Sequence, residues 1–134
     1  MANPSKQKGT RAETRVVKFL AEYGIQSKRK PLHGSSDEGD IDVVASGFGG
    51  SGIVLEVKAG KQTLNPSRNK LDEWFRQTKV EGVNSKKPSA LCVVRYNRAL
   101  KNADVYFKWQ GFRVHMFLDE FCEFIKSGYM LFAK

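Results

Sequence analysis

The chain is short of cysteine, of acid relative to base, and of long apolar runs, and each shortage excludes something. Cys92 and Cys122 are the only two cysteines among 134 residues. They lie far apart and each sits in an apolar stretch, so a disulfide framework is excluded and buried, reduced thiols are expected. The two histidines, His33 and His115, are remote from them in sequence, which excludes a zinc finger. No segment is apolar over the length needed to span a bilayer, and no signal-peptide core is visible, so an intracellular, cytoplasmic protein with no membrane attachment is expected. Acids number 14 against 23 Lys and Arg, a net charge of +9. That imbalance points to a polyanionic partner. No long basic amphipathic helix is present, which favours nucleic acid over a membrane surface.

What is present suffices for one folded domain over residues 1–134, with 1–8 as a loose basic tail. Apolar residues make up 40% of the chain and include nine Phe and two Trp, enough for a core without staples. Apolar spacing predicts a helix over about Arg11–Tyr23, with Ala12, Val16, Phe19, Leu20 and Tyr23 inward and Gly24 as its stop. A short basic strand follows at Ile25–Arg29, then a loop, then hairpin strands at Ile41–Ala45 and Ile53–Lys58. A second helix is predicted over Arg68–Val83, its apolar face made by Leu71, Trp74, Phe75 and Val80. Ser89–Tyr96 is almost continuously apolar, as a central, doubly covered strand is. Strands at Val105–Trp109 and Arg113–Leu118, a helix at Asp119–Ser127 and an apolar segment at Tyr129–Ala133 complete the chain. Helices interleaved with a mixed sheet make the fold α/β.

The hairpin carries the most information. Gly39-Asp40-Ile41-Asp42-Val43-Val44 leads through the glycine-rich turn around Gly49 into Leu55-Glu56-Val57-Lys58. Alternation along a strand puts Glu56 and Lys58 on one face and Leu55 and Val57 on the other. If the hairpin is symmetric about Gly49, Asp42 lies directly opposite Glu56, with Cβ atoms about 4.5–5.5 Å apart. Two carboxylates in that position repel, and a divalent cation between them removes the conflict. Asp40 shares the face of Asp42, and a register shifted by two residues would bring it to the cation instead. With Asp42 as the ligand, Asp40 would be an outer partner or turn residue.

An Asp followed on the next strand by Glu-x-Lys resembles the PD-(D/E)XK nuclease superfamily. The order of elements is similar to that of the archaeal-type and phage Holliday-junction resolvases: a helix with Glu13, a basic strand, a serine-containing loop, the Asp42 hairpin, then Glu56-Val57-Lys58. The likeness covers roughly the first two-thirds of the chain, and Ile41 stands where the family often has proline. It implies a restriction-endonuclease-like core, a central mixed sheet flanked by helices, and Mg²⁺-dependent endonuclease activity on DNA, most specifically on four-way junctions, with Mn²⁺ able to substitute. Asp42, Glu56 and the Val57 carbonyl would hold the metal, joined by Glu13, and Lys58 would stabilise negative charge or orient the attacking water. Ser35 or Ser36 would contact phosphate. Paired nicks in a junction imply a C2 homodimer, for which the aromatic-rich part from Lys101 onward is the candidate interface. A prokaryotic or phage-infected cell is the implied setting.

Several residues keep a second reading. Thr10-Arg11-Ala12-Glu13 matches a capping box, which accounts for Glu13 without chemistry. Ser35, Ser36 and His33 read equally as polar loop residues, and Gln77 as an exposed helix position. Arg11, Arg15, Lys28, Arg29, Lys30, Lys61, Arg68 and Lys70 cluster around the site in sequence, as backbone-phosphate contacts would, although each alone reads as a solvated charge. Trp74, Phe75, Tyr106, Phe107 and Trp109 have the periodicity of core or interface. The rivals to a junction resolvase are a nuclease of the same fold acting on a flap, mismatch or duplex site, and a basic nucleic-acid-binding module without catalysis.

Overall fold

The computed structural model describes residues 4–30, 40–44 and 52–127, with side chains from Arg11 onward. Its elements are α1 (Pro4–Glu22), β1 (Ser27–Arg29), β2 (Ile41–Val43), β3 (Ile53–Lys58), α2 (Arg68–Ser85), β4 (Ser89–Val93), β5 (Asp104–Trp109), β6 (Phe112–Phe117) and α3 (Leu118–Ser127). The strands form one six-stranded sheet in the order β1-β2-β3-β4-β5-β6. Only β3 and β4 run parallel. A parallel pair cannot be joined by a tight turn, so the chain crosses over through α2 between them. The α/β class and the mixed sheet agree with expectation, and β4 is the central buried strand that its apolar run predicts.

The two faces of the sheet bury different clusters. On one, Ala12, Val16 and Leu20 of α1 and Phe121 and Cys122 of α3 pack on Ile41, Val43, Leu55, Val57, Ala90, Cys92, Val105 and Phe107. On the other, Leu71, Trp74 and Phe75 of α2 cover Leu91 and Val93. Each fully buried large aliphatic or aromatic side chain contributes about 1.5–3 kcal/mol. The aromatic residues of the middle and C-terminal segments thus serve the core: Phe107 stacks on Phe121 and Phe124, and Trp109 meets Phe124 edge-on. Both cysteines are free and buried, and burial pushes both thiols upward in pKa. Among the described residues no helix is long and apolar enough to cross a membrane.

The structure corrects four local expectations. First, α1 begins at Pro4, not near Arg11, so most of the expected basic tail is helical. Proline suits a first helical position, where its missing N–H is not needed. Thr10 therefore lies inside the helix and cannot be its cap, which removes the capping-box account of Glu13. Second, Val80 is 57% exposed. The inward face of α2 runs through Leu71, Trp74, Phe75 and Thr78 to Gly82, and Val80 is out of phase with it. Third, Ile25 is buried but precedes β1, and β4 ends at Val93, although the Val94 N–H still reaches Lys58 O at 2.8 Å. Fourth, the hairpin register differs, with consequences for the site described below. The loop with Ser35 and Ser36, the turn around Gly49 and the Tyr129–Ala133 segment lie outside the described residues.

The end of α2 is built around Gly82. Lys86 adopts a left-handed conformation with φ 57, and its N–H bonds back to Gly82 and Val83 carbonyls. The Lys87 N–H also reaches Gly82 O, at 3.0 Å. A Cβ on Gly82 would lie 2.7 Å from Ser89 Oγ and 2.9 Å from Lys87 O. Gly82→Ala is therefore expected to lower stability by about 1–2 kcal/mol in urea unfolding, because overpacking outweighs the propensity gain of alanine.

Candidate active site

The site is built where β2 and β3 run side by side. The observed pairing sets Ile41 opposite Leu55, Asp42 opposite Val54 and Val43 opposite Ile53. Its centre is position 48 rather than 49. This small change moves the partner of each residue by two places and preserves which face it points to. Asp42 thus faces Val54, not Glu56, and the expected Asp42–Glu56 opposition is overturned. Continuing the same register one step brings Asp40 opposite Glu56. Backbone bonds hold Asp40 there on both sides: its N–H donates to Leu55 O at 3.3 Å, and its carbonyl accepts from Lys30 N at 2.8 Å.

Half-buried Asp40 and buried Glu56 form an acidic pair with little to neutralise it among the described residues. The Val57 N–H donates to Asp40 Oδ2 at 2.8 Å. Lys58, two residues beyond Glu56 on the same face, holds its ammonium 3.4 Å from Glu56 Oε1. Glu56 is only 5% exposed, and its Oε2 is buried with no hydrogen-bond partner among the described residues. The Asp40 carboxyl is pushed up to about 8, chiefly by burial, then by the adjacent charge of Glu56, with smaller contributions from Glu13 and from a hydrogen bond to Glu56; the Val57 N–H opposes these. An orphaned carboxylate oxygen beside a second carboxylate is a hard-oxygen donor set of the kind Mg²⁺ takes, since that ion uses one or two carboxylates and keeps several waters. These two residues therefore fit a divalent cation.

The other expected site residues are distributed around this pair. Asp42 has its own partners: Lys87 Nζ at 3.2 Å and Lys30 Nζ at 3.9 Å. It is a charge-paired residue on the same sheet face, displaced toward the end of α2. Glu13 makes an ion pair of 3.0 Å with Arg29 Nε, and its charge reaches Asp40 without forming a three-residue ligand group; among the described residues no such group of His, Cys, Asp or Glu occurs. Val57 is engaged through its N–H. Arg29 and Lys30 are turned toward Glu13 and Asp42, while Lys28, Lys61, Arg68 and Lys70 are exposed. Lys70 also lies 5.9 Å from the Trp74 ring centroid. Gln77 is exposed on α2. Ser35, Ser36 and His33 fall outside the described residues.

Two sets of residues were missed by sequence reasoning. Lys87 is one, since nothing in Lys86-Lys87-Pro88 marks it as the partner of an aspartate 45 positions earlier. The other is buried Asp104, which accepts from Arg95 Nη1 at 2.9 Å and bonds His115 Nε2 at 2.7 Å. Its only signal is an acid at the start of an apolar strand.

Asp40 yields a test of the metal-free protein. Its folded pKa lies above its ordinary value of 3.8, so protonation favours the fold. The contribution is complete below about pH 4 and is lost as pH rises to about 8. Asp40→Asn keeps an acceptor for Val57 N–H and removes the charge. In EDTA it is expected to be more stable than wild type by at least about 1.4 kcal/mol at pH 8, the equivalent of one pKa unit, and by progressively less toward pH 4. Thermal denaturation across that range checks it.

Comparison with known proteins finds no matching family model and no matching curated protein. Among solved structures the chain is similar to Hjc, a Holliday junction resolvase from the archaeal hyperthermophile Archaeoglobus fulgidus, with a TM-score of 0.51 and 17% identity over 85% of this chain and 99% of that one. The six-stranded sheet and its flanking helices therefore share the fold of that archaeal protein.

Proposed function

We propose that this chain is a metal-dependent DNA endonuclease, and most specifically a resolvase of four-way junctions. The observation that carries the reading is the Asp40–Glu56 pair with Lys58 beside it, at the position where the resemblance to resolvases expects an Asp and a Glu-x-Lys. Asp40 and Glu56 would hold Mg²⁺, with the Val57 carbonyl as a third donor and Mn²⁺ able to substitute. When bound, the cation would supply charge neutralisation at the phosphoryl oxygen and a lowered pKa for an attacking water.

The chain's own groups do the rest. The Val57 N–H fixes the orientation of Asp40. The Lys58 ammonium, already oriented by Glu56, is placed to stabilise negative charge developing on phosphate or to hold the water. Glu13, held by Arg29, adds negative charge at one side, which strengthens attraction for a cation. Lys28, Lys61, Arg68 and Lys70 are exposed around these strands and suit backbone phosphates. A homodimer is part of the reading, since resolution needs two symmetric nicks. The edge strand β6, with Phe112 75% and Phe117 42% exposed, supports placing the interface in the C-terminal third. A prokaryotic or phage setting follows only from the resemblance.

Cleavage of a labelled four-way junction beside a matched linear duplex, with Mg²⁺ or EDTA, tests this function. Wild type is expected to nick the junction symmetrically and only with metal. Asp40→Asn and Glu56→Gln should lose cleavage by at least about 100-fold while retaining binding. Asp42→Asn should stay within about ten-fold of wild type, because its carboxylate serves Lys87 and Lys30. Equal cutting of duplex and junction would keep the chemistry and discard the resolvase. Binding without any cleavage would favour a non-catalytic nucleic-acid-binding module.

A further inference from the structure

A second basic feature lies at the carboxyl ends of the parallel strands β3 and β4. A cleft of about 390 Å³ is lined by Arg11, Arg15, Arg95 and Arg98 together with Tyr96, Asn97, Gly60 and three small or apolar neighbours, and among the described residues no carboxylate lines it. The four arginines come from two separate parts of the chain. Arg11 and Arg15 are four residues apart on α1 and so share one side of the helix. Arg95 and Arg98 belong to the turn after β4, which the Arg98 N–H closes onto Arg95 O at 3.2 Å.

The floor of this cleft is rigid. Thr63 is fully buried. Its hydroxyl lies 2.8 Å from Gly60 O and 2.9 Å from Val94 O, and it accepts from Tyr96 N at 3.0 Å. One side chain thereby ties the segment after β3 to the segment after β4. Gly60 at φ 87 and Asn97 at φ 60 adopt left-handed conformations that form these tight turns. Arg95 is oriented from beneath by buried Asp104, and its Nε is buried without a hydrogen-bond partner among the described residues. Asp104 offsets the charge of Arg95, and Arg11, Arg15 and Arg98 leave the cleft positive, which favours an anion there. Planar guanidinium groups match phosphate oxygens in pairs.

We infer that this arginine cleft is a phosphate-binding subsite that grips the DNA backbone beside the Asp40–Glu56 pair. It adjoins the candidate active site along the chain: Ala59 and Gly60 directly follow Lys58, and Arg11 and Arg15 flank Glu13 on α1. A strand whose scissile phosphate lies against Lys58 would lay a neighbouring phosphate in the cleft. The crevice outside the carboxyl ends of parallel strands is also where α/β sheets receive ligands. Contacts of this kind position the backbone without reading bases. The inference rests on DNA being the partner, as proposed above, but not on cleavage.

Its test is the salt dependence of binding to a labelled four-way junction in EDTA, measured by fluorescence anisotropy. The variants are Arg15→Ala/Arg98→Ala, the charge-preserving Arg15→Lys/Arg98→Lys, and Arg76→Ala on the far side of α2. Each lost phosphate contact lowers the slope of log K against log salt by about one. The double alanine variant is expected to lose about two, the double lysine variant to keep the wild-type slope, and Arg76→Ala to keep it as well. The subsite is overturned if the double alanine variant keeps the wild-type slope, or changes no more than Arg76→Ala. It is equally overturned if inorganic phosphate binds saturably at the cleft while junction affinity is insensitive to both arginines. Wild-type binding with the expected slope changes but no cleavage in Mg²⁺ would sink the nuclease and leave the subsite standing. Cleavage with unaltered slopes would do the reverse.

Discussion

Two carboxylates that repel each other organise this molecule. Asp40 and Glu56 are set side by side by backbone bonds and a strand register over which their side chains have no control. Packing fixes the face that each residue presents, because Ile41, Val43, Ile53 and Leu55 all belong to the cluster under α1. A slip by one residue would turn every one of them to the opposite face of the sheet. The sheet therefore enforces a contact that is unfavourable in the metal-free protein, and Glu56 Oε2, buried with no hydrogen-bond partner among the described residues, is its structural trace. Local cost maintained by surrounding packing is the usual mark of a site whose conflict is resolved by a ligand.

Much of the fold was legible because its signals are periodic. Ala12, Val16 and Leu20 recur at helical spacing, the run from Ala90 to Val94 announced a doubly covered strand, and β3 alternates so strictly that Glu56 and Lys58 could be placed on one face. What was not legible lay at boundaries. Nothing in Pro4-Ser5-Lys6-Gln7-Lys8 is apolar, so no periodicity marks the first turns of α1, and the Thr10 to Glu13 spacing imitated a helix start. Val80 was assigned inward by its chemistry alone, although the face through Trp74 and Thr78 leaves it outside.

The site was legible to within one step of a register. Parity along β2 correctly put Asp40 and Asp42 on the face of Glu56, and that follows from strand geometry alone. Which of them meets Glu56 depends on the centre of the hairpin, and a glycine-rich turn accommodates a centre at 48 as readily as at 49. The metal was expected at Asp42, although the apolar residues after it follow Asp40 almost as closely. Lys87 pairs with Asp42 from a segment that the α2 crossover brings near. The arginine cleft shows the same limit. Arg95 and Arg98 reach Arg11 and Arg15 through the parallel pairing of β3 and β4, a long-range contact with no local signal.

The central claim is that Asp40, together with Glu56, is the metal-holding aspartate. Titration of Mn²⁺ into the DNA-free protein, followed by loss of the free ion's paramagnetic signal, tests it most directly in wild type, Asp40→Asn and Asp42→Asn. The account predicts saturable binding to wild type, near-equal affinity in Asp42→Asn, and at least a ten-fold loss in Asp40→Asn. Loss in Asp42→Asn with binding preserved in Asp40→Asn would contradict it.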